Sequence, residues 1–197
     1  MDTNKLRAKD LITTGIFTVV FTLIVMVVSL TLGMIPVVYP FIVAIGMIPC
    51  GIVWAYMRAK VPKRFGILIQ CTVLALFLLL TGMGWYGVLG VFVGGVLAEI
   101  IAGIGNYRSF KLTVLSYAVF GLCFDLGGFL VILLAGDYYY KNSIALGADT
   151  AYMDALMNFM SGPVLAVACV LTVIGAVVGM LLGKAMLKKH FVKAGIV

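Results

Sequence analysis

The chain has 197 residues, 64% of them hydrophobic and 11% charged, with a mean hydropathy of +1.22. Soluble domains are near half apolar and a quarter charged, so this is the composition of an integral membrane protein. At about 20 to 25 residues per span plus short loops, the length leaves room for roughly six transmembrane helices and excludes an appended nucleotide-binding or soluble receptor domain. A formal charge of +7 would raise the question of nucleic acid in a soluble chain, but here the basic residues read as topology signals that also meet anionic headgroups.

A basic leader, MDTNKLRAKDL, opens into the first apolar run at about 11–32. That run is too long for a signal h-region and has no small-residue cleavage site, so it is expected to remain as a mature helix. Thr14, Thr18 and Thr22 share one of its faces. Pro36 and Pro40 shape a short turn into the second span, 38–57, where Pro49 between Gly46 and Gly51 predicts a kink. Arg58, Lys60, Lys63 and Arg64 separate it from the third span, 65–83. The fourth, 86–104, carries Gly90, Gly94, Ala98 and Ala102 on one face, and Arg108 and Lys111 follow it. The fifth covers 112–135. After a long loop, 136–161, the sixth covers 162–187 and contains the GxxxGxxxG series Gly175, Gly179 and Gly183. The expected fold is therefore all-α, a single membrane domain over 1–197 built as a six-helix bundle.

Thirteen of the fourteen Lys and Arg, Lys184, Lys188, Lys189 and Lys193 among them, fall on the side of the two termini, and only Lys141 falls on the other. By the positive-inside rule both termini are expected to be cytoplasmic. Trp54, Tyr56 and Tyr107 then lie near inner boundaries, and Tyr39, Trp85, Tyr86 and the run Tyr138, Tyr139, Tyr140 near outer ones, as an aromatic belt would. In the outer loop, Tyr152, Leu156, Phe159 and Met160 recur at helical spacing. They predict a short amphipathic helix that either covers the outer mouth or simply lies in the interface.

Two acidic residues fall inside apolar spans, where a charge costs at least about 2.5 to 3.5 kcal/mol. Asp125 is 14 residues past Lys111 and 12 before Asp137, close to the midplane. It is either a ligand anchor in a central cavity or a neutral bridge between helices. Gly121, Gly127 and Gly128 thin the helix around it, for a ligand or for another backbone. Glu99 lies nearer the cytoplasmic side and reads as a packing or contact residue, with Gln70 as a hydrogen-bond partner. The small-residue stripes serve either contacts inside the bundle or a partner subunit.

Cys50, Cys71, Cys123 and Cys169 are scattered singly and read as small core residues. There is no GxxxxGK[ST] loop, and the one histidine, His190, sits in the basic tail. Intramembrane Ser/His proteolysis, HExxH zinc chemistry and bis-His haem ligation each need a histidine within the bundle, so the chain is expected not to be an enzyme and to carry no metal or cofactor of its own. No inverted repeat marks a self-sufficient transporter, which makes a subunit the better expectation.

The segments KLRAKDLITTGIFTVV, LTGMGWYGVLGVFVGGVLAEIIAGIGNYRS and LGKAMLKKHFVKAGIV resemble the Trep_Strep family of small bacterial membrane proteins. That family is similar to the substrate-binding S components of energy-coupling factor (ECF) transporters. The resemblance implies a bundle in the bacterial cell membrane that binds a micronutrient from outside. It also implies docking on a T component and two cytoplasmic ATPases, which use the ATP. S components commonly carry an AxxxA-like stripe in the first span for the T component; Thr14, Thr18 and Thr22 stand in that place here. In this reading Asp125, Trp85, Tyr86, Tyr139, Tyr152 and Asn158 are the substrate-binding candidates, in a cavity formed by the fourth, fifth and sixth spans under an outer helix. The partner-docking candidates are Thr14, Thr18 and Thr22 with Gly175, Gly179 and Gly183. The competing class is a non-transporting scaffold or assembly protein that associates through its small-residue faces.

Overall fold

The computed structural model describes residues 5–193, with side chains to residue 189. The side chains of His190 and Lys193, counted above in the basic tail, lie outside the described residues. Within that range the chain is helical throughout: α1 (Ala8–Leu32), α2 (Ile42–Lys60, entered through a 3-10 turn at Tyr39–Phe41), α3 (Gly66–Leu80), α4 (Trp85–Ile104), α5 (Phe110–Leu134), α6 (Gly136–Ala145), α7 (Thr150–Phe159) and α8 (Gly162–Lys193). Five of these, α1, α2 with its leading turn, α4, α5 and α8, are long and apolar enough to cross a membrane. The third apolar helix, α3, has 15 residues and rises only about 22 Å. It ends early because Thr81 and Gly82 turn the chain, Gly82 at φ +86.

Local sequence explains the main boundaries. Ser109 starts α5 by accepting the Leu112 N–H at 3.4 Å, and Asp149 starts α7 by accepting the Tyr152 N–H at 2.9 Å. Helix α2 runs on through Pro49. The segment 136–161 holds two helices where the sequence pattern announces one. The unannounced helix is α6, whose GDYYYKNSIA has no apolar period to betray it; the break at Ala135 (φ −144) separates it from α5.

The apolar helices form a closed ring in the order α1, α2, α8, α5, α4, α3, and α2 also touches α5 across it. Two seams of backbone contact fix this ring. Along α2 and α8, a Cβ added to Gly51 would lie 2.8 Å from the Gly179 Cα, one on Gly175 would lie 2.5 Å from the Ala44 carbonyl oxygen, and one on Gly183 would lie 2.7 Å from the Ala55 Cβ. Along α4 and α5, a Cβ on Gly90 would lie 2.7 Å from the Gly127 Cα, and one on Gly94 would lie 2.8 Å from the Cys123 Cβ. Lipid tails are as apolar as Leu, so helices associate largely through close packing rather than the hydrophobic effect, and only small residues permit approach this near.

The expected docking stripes are thereby corrected. Gly175, Gly179 and Gly183 are occupied by α2 of the same chain, and Thr14, Thr18 and Thr22 are buried against the ring rather than displayed. The Thr18 hydroxyl donates to the Thr14 carbonyl oxygen at 2.8 Å. What α1 presents outward is an aliphatic stripe of Ile12, Ile16, Val19, Leu23, Val27 and Leu30.

The α2–α8 seam generates a test. Gly179→Ala places a methyl group 2.5 Å from the Ile48 carbonyl oxygen and should destabilise the bundle by about 1 to 3 kcal/mol, as overpacking does. Gly15→Ala, where the new Cβ meets nothing within 4 Å, should leave the melting temperature unchanged or slightly raised. Equal melting curves for the two variants in detergent would show that the seam carries no load.

Candidate functional site

The ring encloses a blind chamber of about 320 Å³, walled by α1, α2, α3 and α5 and not by the fourth, fifth and sixth spans together. The correction follows from the packing: α2 touches α5 across the ring and so shuts α8 off from the chamber, and α4 turns its small residues to α5. Phe21, Met47 and Cys50 line its deep end. Below them a cluster of rings forms a floor: Trp54 lies 4.9 Å from Tyr117 and 5.2 Å from Phe120 between centroids, and Phe21 lies 6.2 Å from both Trp54 and Phe120. The Tyr117 hydroxyl donates to the Met47 carbonyl oxygen at 2.9 Å, tying the floor to α2. Phe21 is 12 residues before Gly33, so the chamber reaches about 18 Å down α1, roughly half the thickness of a bilayer core.

Above it opens a wider mouth of about 730 Å³, lined in part by Tyr86, Tyr139, Asn142, Asp149 and Tyr152. Chamber and mouth share Tyr39, Gly82, Met83 and Gly128 on their walls, so they are one continuous site. Three of the sequence candidates, Tyr86, Tyr139 and Tyr152, therefore meet here. The Tyr152 hydroxyl donates to the Gly33 carbonyl oxygen at 2.6 Å, which pins α7 to the end of α1. The Tyr139 hydroxyl lies 3.4 Å from that of Tyr39 and donates to it, and the Tyr140 hydroxyl donates to Asp154 at 2.9 Å, joining α6 to α7. Burial pushes the Tyr139 and Tyr152 hydroxyls above their ordinary pKa, so both remain protonated donors.

Two other candidates stand apart from this site. Trp85 is exposed and donates its indole N–H to the Tyr138 hydroxyl at 3.3 Å, so it braces α6 from outside. Asn158 lies on the exposed face of α7, while Met153 and Leu156 form the face turned inward. Helical spacing identifies α7 but not which polar residue points in. Tyr39 and Phe129, packed edge to face at 5.2 Å, belong to the site although sequence pattern does not single them out; Tyr39 looks like any interfacial aromatic until the turn at Tyr39–Phe41 folds it over the chamber.

Asp125 is fully buried but lines neither the chamber nor the mouth. It faces α8, where the Thr172 hydroxyl donates to its Oδ2 at 3.2 Å, while Oδ1 has no hydrogen-bond partner. Its three glycines divide. Gly121 makes room for Met47 and Thr172, Gly127 meets Gly90, and Gly128 alone faces the site, where an added Cβ would meet only the Met83 methyl at 4.0 Å.

No Lys, Arg, His, Asp or Glu among the described residues lines the chamber. The one carboxylate at the mouth, Asp149, already accepts a backbone N–H. The chamber is thus an uncharged cavity whose polar groups gather towards its entrance. Residues 8–193 match the model of a family described as a hypothetical bacterial integral membrane protein, Trep_Strep. The chain belongs to the Trep_Strep family. Comparison with the curated proteins and with the solved structures found no match.

The second buried carboxylate of this Trep_Strep protein is structural. Glu99 accepts the Phe65 N–H at 2.6 Å on Oε1 and the Ile67 and Leu68 N–H groups at 3.1 Å on Oε2. Those are first-turn donors of α3, which no intrahelical carbonyl can satisfy, and a carboxylate there also faces the positive end of the helix dipole. Phe65, at φ +69, makes the turn that presents them. Tyr107 hydrogen-bonds the same carboxylate, and its hydroxyl is pushed up to about 12 by burial first and then by Glu99. Gln70, expected to partner Glu99, has no hydrogen bond on either amide atom, because Glu99 reaches the backbone of α3 instead.

Two expectations follow for these acids. Glu99→Gln should weaken the cap by about 1.5 to 3 kcal/mol, the range for hydrogen bonds to a charged group, and a melting curve reads it. Asp125→Asn should shift the melting temperature while leaving affinity for whatever copurifies in the chamber unchanged; a tenfold loss of affinity would return Asp125 to the site.

Proposed function

We propose that this Trep_Strep chain is the substrate-binding membrane subunit, the S component, of an ECF-type importer, and that it captures a small uncharged micronutrient bearing an aromatic or otherwise flat ring. The observation that carries the reading is the blind chamber, open at the α6–α7 end and closed below by the Trp54, Tyr117 and Phe120 floor. Its volume falls in the range of small-molecule sites. Phe21, Tyr39, Phe124 and Phe129 offer ring faces and edges, and Met47 and Met83 offer polarisable sulfur. An anionic or cationic ligand would shed its hydration there with no opposite charge in return.

In this proposal α3, lengthened by its flanking turns, makes a sixth crossing, and both termini are cytoplasmic. The thirteen basic residues on one side support that orientation, with the mouth then facing outward. The chain itself does no chemistry: a T component and two cytoplasmic ATPases dock on it and supply the energy. The outward aliphatic face of α1 is then the surface free to meet a T component, since the Thr and Gly stripes are used internally. A scaffold would have to associate through that same α1 face, since the glycine stripes are used within the bundle.

Gentle extraction should bring down ATPases, a T component and an uncharged ring compound identifiable by mass spectrometry. Gly128→Leu, whose side chain grows into open space, should keep the partners and the melting temperature but lose the compound by at least a hundredfold. Copurification of neither partners nor compound would overturn the transport reading.

A further inference from the structure

At the basic end, on the far side of the aromatic floor, α2, the α4–α5 turn, the start of α5 and the last turns of α8 surround a second pocket of about 400 Å³. Arg58, Arg108 and Lys184 line it, and no carboxylate among the described residues does. Arg58 is the unusual member, since it is only 4% exposed. Its Nη1 donates to the Val61 and Lys63 carbonyl oxygens at 2.8 and 3.4 Å and its guanidinium lies 5.3 Å from the Tyr107 ring centroid, yet Nε and Nη2 have no hydrogen-bond partner. The nearby acid, Glu99, has both oxygens engaged by the backbone of α3. Glu99 lends Arg58 its field from behind but no acceptor, and the pocket itself carries three cations, two free guanidinium donors and no carboxylate on its described wall, which makes it an incomplete ion site.

We infer that this pocket binds the phosphate headgroup of an anionic phospholipid. The charges sit where the apolar run of α8 gives way to lysines, which is headgroup depth. Most of the remaining wall, including Ala55, Phe110, Met180 and Leu187, is apolar, and it suits the glycerol and upper acyl carbons of a lipid; a free phosphate ion has no use for it. The Lys184 ammonium, 4.5 Å from the Phe110 ring centroid, stands where that apolar wall meets the charges. The site is independent of the transport reading, since it lies at the opposite end from the chamber.

The test uses the full chain in mild detergent. Native mass spectrometry and melting curves compare phosphatidylglycerol with phosphatidylcholine of the same acyl chains, and with inorganic phosphate alone. Phosphatidylglycerol should be retained in preference and should raise the melting temperature, an effect that added salt weakens. The double variant Arg108→Gln, Lys184→Gln removes two exposed charges and leaves Arg58 and its carbonyl contacts in place. It should lower the preference roughly thirtyfold without changing the melting temperature in phosphatidylcholine. The charge-retaining swap Arg108→Lys, Lys184→Arg should restore most of it. Equal retention of the two lipids, equal stabilisation by inorganic phosphate, or an undiminished preference in the neutral variant would each overturn the assignment.

Discussion

The approach of α2 to α8 at Gly51 and Gly179 is the constraint from which the rest of the molecule follows. Helix faces are spent by residue spacing. Ala44, Ile48, Gly51 and Ala55 turn to α8, and this leaves Val43, Gly46, Met47 and Cys50, a third of a turn away, to line the chamber. The second seam, Gly90 on Gly127, does the same for α5: Gly127 is consumed, and Gly128 falls open to the site. The two seams join α2 to α8 and α4 to α5 as closely packed pairs, and α2 meets α5 across the aromatic floor. The chamber is the space that these pairs, with α1 and α3 between them, leave unfilled.

The aromatic floor divides that ring into two ends of opposite chemistry. Above it the wall is uncharged; below it lie Arg58, Glu99 and Tyr107. In a low-dielectric interior a charge is felt over many ångströms, so an uncharged ligand site is best kept apart from an ionic one by a layer of packed rings. The two buried carboxylates follow the same rule. Glu99 caps α3 and Asp125 bonds Thr172, both on the frame and neither on the chamber wall.

The sequence reveals the parts of this structure that depend on one helix at a time. Apolar runs, the basic sidedness, the tight glycine series of α8 and the tyrosines at the mouth are all properties of local pattern. What it hides is azimuth and neighbour order. Asp125 can be placed at the midplane by counting residues, but whether it turns to a cavity or to α8 depends on which helix stands beside α5, and only the ring decides that. Thr14, Thr18 and Thr22 form a visible stripe, yet a stripe of small residues is equally suited to an inward and an outward face. Helix α6 is invisible for a different reason: its tyrosines pack on Trp85, Tyr39 and Tyr86, contacts from distant segments that leave no period in its own ten residues.

Under the proposed function, selectivity would rest mainly on the apolar chamber. Every hydroxyl seen bonded at the mouth already has a protein partner: Tyr152 has Gly33, and Tyr139 has Tyr39. On that proposal, a ligand group that takes either of these two hydroxyls exchanges one hydrogen bond for another, with a net gain of about 1 kcal/mol or less. Burying a ring against Phe21, Phe124 and Phe129 gains about 25 cal/mol for each Å² removed from water, on the ligand and on the wall alike. Under the proposed function, shape and apolar area would thus contribute most of the affinity, with the tyrosines left to set orientation. The same two bonds hold α7 to α1 and α6 to the turn at Tyr39, so under the proposed function a ligand group that competed for the Tyr152 hydroxyl would loosen α7 from α1.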